Sequence, residues 1–62
     1  MYLVLTGNEY GVDILNNTDL KFIKKLEDAE VRFDEYLEEY SCAALLKIHH
    51  DRLEVVKQES NF

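Results

Sequence analysis

The sequence contains no proline and no tryptophan, one cysteine, and two glycines, Gly7 and Gly11. With a single thiol, Cys42, neither an intramolecular disulfide nor a cysteine-rich zinc staple can form. Long apolar segments are missing too: the longest runs, Met1–Leu5 and Cys42–Leu46, have five residues each. A membrane-spanning helix takes about 20 apolar residues, and the core of a secretion signal at least about 7. The N-terminus carries no basic leader. These absences lead to the expectation of a complete small open reading frame in a reducing, cytoplasmic setting, with no membrane contact and no cofactor. Bases are also scarce: 7 against 13 acids, for a net charge of −6. Such a chain repels phosphate backbones, so direct nucleic-acid binding is not expected.

What is present suits one small domain of 62 residues, 47% of them apolar, with four tyrosines and three phenylalanines. A domain of this size buries only about 60% of the surface of its unfolded chain, so a roomy cleft competes with the core. Tyr2–Thr6 is aromatic and branched, as in a strand. Gly7-Asn8-Glu9-Tyr10-Gly11 suits a hairpin loop, and 10–15 reads as a second strand. The loop lacks the spacing and the lysine of a phosphate cradle. Asn17 or Thr18 can cap a helix.

From Asp19 the apolar period becomes helical: Leu20, Ile23, Leu26 and Ala29, then Phe33, Tyr36, Leu37 and Tyr40. One helix over 19–40 would be roughly 33 Å long at about 1.5 Å per residue. The expectation is therefore a break near Glu30–Arg32, with Asp34 capping a second helix. Lys21, Lys24 and Lys25 early in this stretch and Glu27, Asp28 and Glu30 later in it oppose the helix dipole. Residues 43–49 and 52–57 alternate as strands around a polar turn, His50-Asp51-Arg52, although 42–56 has helical propensity as well. Residues 58–62 are expected to fray.

The expected fold is α+β, in the order ββα(α)ββ: a small antiparallel sheet of two hairpins with one or two helices on one face. Leu3, Leu5, Val12, Ile14, Leu46, Ile48, Leu53 and Val55 are assigned to the helix side. Tyr2, Val4, Leu15, Leu45 and Val56 then form an apolar patch on the open face, the expected contact of a homodimer. The helix stripe Ile23, Leu26, Phe33, Leu37 and Tyr40 is the alternative contact.

Seven carboxylates stand between Glu27 and Glu39, opposed by Arg32 alone. Such a strip is either a solvated helix face or a docking surface for a basic partner, in one form by carboxylates standing in for phosphates. Asp34, Glu35, Tyr36, Glu38, Glu39 and Tyr40 are the candidate partner-binding residues, because the tyrosines add aromatic contact suited to arginine. His49, His50 and Asp51 are metal-donor types, but adjacent histidines diverge. Cys42, His49 and Asp51 name the types of a thiol triad without a visible cleft, and Cys42 reads better as a small buried thiol. The functional expectation is a non-enzymatic acidic regulator or inhibitor of another protein, of the size and charge abundant in phage and mobile-element genomes. The alternatives are an assembly subunit and a metal-binding module at His49, His50 and Asp51.

Overall fold

A computed structural model describes residues 1–8, 11–12 and 21–61. Among these the chain forms five strands and one helix: β1 (Tyr2–Asn8), β2 (Gly11–Val12), β3 (Phe22–Ile23), α1 (Leu26–Tyr40), β4 (Cys42–Ile48) and β5 (Leu53–Ser60). All pairings are antiparallel, in the order β2-β1-β4-β5, with β3 also on β1. This is the expected small α+β fold, with one helix on the sheet.

The two longest apolar runs of the sequence become the central strands, paired from Tyr2↔Lys47 to Thr6↔Ala43. Both faces of this pair are buried. On one side Val4, Ala43 and Leu45 pack with Ala29 and Phe33 of α1, joined by Tyr2, Ile23, Tyr36 and Leu37. On the other Leu3, Leu5, Ala44 and Leu46 form a second cluster with Ile48. An unbroken apolar run, rather than an alternating one, is what a strand covered on two faces requires.

This placement inverts the expected sheet sides. Leu3, Leu5, Leu46 and Ile48 lie away from the helix, whereas Tyr2, Val4 and Leu45 lie beneath it. The proposed dimer patch is thereby overturned: Val4 and Leu45 are 6% and 0% exposed under the chain's own helix. Val56 stays exposed on β5, and Leu15 lies outside the described residues. The alternative stripe is not one continuous surface: Phe33 and Leu37 lie on the inner side of α1, Ile23 belongs to β3 and packs against the same core, and Leu26 and Tyr40 are exposed.

The helix also begins later than its period suggests. Phe22 and Ile23 pair with Leu3 and Tyr2 along the outer edge of β1, where Gly11 and Val12 pair with Asn8 and Gly7. Strand pairing there satisfies backbone groups that an open edge would leave unpaired, and it outweighs the local helical pattern. Of the expected strand 10–15, only 11–12 is described. Lys25 occupies the N-cap without a side-chain cap, and residues 13–20, which contain Asn17 and Thr18, lie outside the description. From Leu26 the helix runs unbroken to Tyr40, with Asp34 exposed in its interior. Its 15 residues span about 22 Å, so the late start does what a break near Glu30–Arg32 was expected to do.

Tyr40 ends α1 and Cys42 starts β4, leaving Ser41 as the whole connection. Ser41 adopts φ 62°, in the left-handed region, and its N–H donates to the Leu37 carbonyl. The Ser41 carbonyl accepts from the Asn61 N–H. β5 pairs through Ser60↔Cys42, so 58–60 belong to the sheet and do not fray. The β4–β5 hairpin itself is as expected: the His49 N–H donates to the Arg52 carbonyl and closes the turn around His50-Asp51. A bulge in this pairing places Leu45 opposite Lys57 and Leu46 opposite Val55, with Val56 the extra residue.

Left-handed backbone strains any side chain with a Cβ, and glycine relieves it. Ser41→Gly is expected to raise stability by about 0.5–1 kcal/mol, and Ser41→Val to lower it. Urea denaturation of the two variants checks both directions.

Candidate acidic docking face

Seven of the 13 acidic residues of the sequence fall on α1 and point outward. Glu27, Asp28, Glu30, Asp34, Glu35, Glu38 and Glu39 are all exposed. Val31, 58% exposed, lies amid them, with Glu27, Glu30, Asp34 and Glu38 to one side and Asp28, Glu35 and Glu39 to the other by helical spacing. The inner side is fixed by Ala29 and Phe33, which are 0% and 1% exposed. Burial of Phe33, worth about 1.5–3 kcal/mol, therefore sets which way the carboxylates face.

The helix does not gather the six candidate residues into one patch. At about 100° per residue, Asp34 and Tyr36 lie about 160° apart around the axis, as do Glu38 and Tyr40. Tyr36 and Tyr40 instead border Glu35 and Glu39. Their rings meet edge to face at 5.6 Å and 87°. The Arg32 guanidinium sits 5.7 Å from the Tyr36 centroid, and its Nε lies 3.6 Å from Glu35 Oε2. Arg32 appeared in the sequence only as the base opposing the strip. Its i,i+4,i+8 spacing with Tyr36 and Tyr40 is the signal that ties it to this edge. Tyr36 is half-buried against the core, and Tyr40 is 46% exposed.

The dipole conflict resolves differently at the two ends. Lys24 and Lys25 precede the helix, and Glu27 and Asp28 occupy its first turn, where negative charge is favoured. The last turn holds Glu38 and Glu39 and no basic residue, so these two carboxylates stand where the dipole disfavours them.

The β4–β5 turn carries the remaining polar cluster. His49 Nε2 donates to Glu54 Oε1 at 2.6 Å, and an Arg52 terminal nitrogen lies 4.0 Å from the same oxygen. The carboxylate partner of His49 is thus Glu54 and not Asp51. This hydrogen bond, opposed by desolvation and helped by the charges of His49, Arg52 and Lys47, holds the Glu54 carboxyl below its ordinary value. Cys42 is buried at the far end of β4, about 23 Å along the strand from His49, so no thiol triad forms. Among the described residues, no group of three or more His, Cys, Asp or Glu side chains is placed to hold a metal ion. A depression at the start of α1, lined by Lys25, Leu26, Glu27 and Glu30, is open, and all four of these residues are exposed. No described helix is long and apolar enough to cross a membrane.

No protein-family model, curated protein or solved structure matches this chain.

The Glu54 shift has a definite sign. A carboxyl depressed in the folded state adds stability that is complete above its unfolded value and is lost as pH falls through the folded one. Carbon-detected titration should place the Glu54 midpoint below that of an unperturbed glutamate, and His49→Gln should move it back up.

Proposed function

We propose that this chain is a non-enzymatic binding protein that presents the outer face of α1 to a protein partner with a basic surface. The observation that carries the reading is the exposure of all seven helical carboxylates around Val31. An apolar centre within a charged rim is the usual anatomy of a protein interface. Glu38 and Glu39 support it further, because they remain in the last turn against the dipole, and breaches of a local stability rule collect at functional surfaces. The Arg32–Tyr36–Tyr40 edge adds aromatic faces on which arginines of the partner can stack. Where the partner is itself a nucleic-acid-binding protein, the carboxylates compete with phosphates for its groove and the chain acts as its inhibitor in the cytoplasm.

The test is the Glu35→Lys/Glu38→Lys/Glu39→Lys variant beside the wild type. Without a partner the variant should be more stable by about 0.3–1 kcal/mol for each last-turn reversal at low salt, as read by thermal melting. As bait in the native host's extract it should lose a basic protein that the wild type retains. Stopped-flow association of that protein with the wild type should slow as salt rises, and DNA or RNA should displace the chain if the target binds nucleic acid. Equal, salt-independent association of variant and wild type would reduce the strip to a solvated face.

A further inference from the structure

The outer edge of β5 is the least explained surface of the fold. It is the last strand of the sheet, and among the described residues nothing pairs with its outer edge. Leu53, Val55 and Val56 are 56%, 55% and 44% exposed there. An open edge with apolar side chains is a template for another strand. We infer that its occupant is a second copy of this chain, with the two β5 strands antiparallel about a two-fold axis between Val55 and Val56.

The bulge and the charges select this register. In a regular strand, residues whose numbers differ by an odd amount lie on opposite faces, so they cannot face one another across a two-fold axis normal to the sheet. The extra residue Val56 changes that parity within β5. Glu54, opposite Lys47, and Lys57, opposite Leu45, both project on the helix side of the sheet. Leu53, opposite Ile48, and Gln58, opposite Ala44, both project on the other side. Pairing Glu54 with Lys57 of the second copy therefore matches faces, sets Leu53 against Gln58, and brings Val55 against Val56. The same register carries Arg52 to Glu59 of the second copy. It places four opposite-charge contacts around four valines. Sliding one copy by two residues in either direction sets Glu54 against Glu59, or Arg52 against Lys57. Like charges directly opposite are unfavourable, so both slips are disfavoured. Lys57 keeps a local role, with Nζ 4.8 Å from the Phe33 centroid, on the side of the sheet where Glu54 of the second copy would lie.

A bulge and a lysine on an edge strand are also devices that prevent such pairing, and solution behaviour separates the two uses. Sedimentation of the full chain into the submillimolar range should reveal reversible association from 7.3 kDa to twice that mass. Glu54→Lys and Lys57→Glu should each weaken the dimer about tenfold, because two contacts turn from attraction to repulsion. The double variant should recover the wild-type constant. Circular dichroism checks that each variant folds. Arg52→Glu, rescued by Glu59→Arg, repeats the test at a pair that does not touch Phe33. Nuclear Overhauser contacts between Val55 of one labelled copy and Val56 of an unlabelled copy would fix the register. A monomer throughout, a larger assembly, or a dimer indifferent to both charge swaps would each overturn the proposal.

Discussion

Everything in this fold hangs on the pairing of β1 with β4. It joins the N-terminus to residues more than half the chain away, from Tyr2↔Lys47 to Thr6↔Ala43, and the Ile48 N–H extends it by donating to the Met1 carbonyl. Both faces of the pair are covered, which gives so small a domain two thin layers of apolar packing in place of one. Ala29 and Ala43, each 0% exposed, are the small residues that let α1 lie close on the sheet. Phe33 then fills the space above Val4 and Leu45. With that contact made, the orientation of α1 is fixed, and its carboxylates have nowhere to point but outward.

The order of the elements, β3 and the start of α1 apart, was legible because it rests on periodicity: the helical period of 26–40, and the polar turn at 50–52, do not depend on tertiary context. The sides of the sheet were not legible, for a specific reason. In β1 both Tyr2 and Val4 and their neighbours Leu3 and Leu5 are apolar, and in β4 Ala43 and Leu45 match Ala44 and Leu46. When both parities are apolar, alternation says nothing about which side meets the helix. Lys47 then misled, since it shares the helix side with Leu45 yet stays exposed. The start of α1 was hidden because Phe22 and Ile23 fit a helical stripe as well as a strand, and only the open edge of β1 decides between them.

The acidic residues were visible in composition but their grouping was not. A stretch of seven positions reads as one strip, while the helix turns Asp34 and Glu38 away from Tyr36 and Tyr40. Arg32, by contrast, joins the aromatic edge at 5.7 Å from Tyr36. Two surfaces follow from one core: a charged outer helix face and, at right angles to the sheet normal, an edge strand with exposed valines. They lie on different elements, α1 and β5.

The orientation of the helix over the sheet is the claim on which both surfaces rest, and it can be read from side-chain proximity in solution. Nuclear Overhauser contacts from the Phe33 ring should reach the methyl groups of Val4 and Leu45. Contacts from Phe33 to Leu3, Leu5 and Leu46 in their place would put the helix on the opposite face and contradict the account.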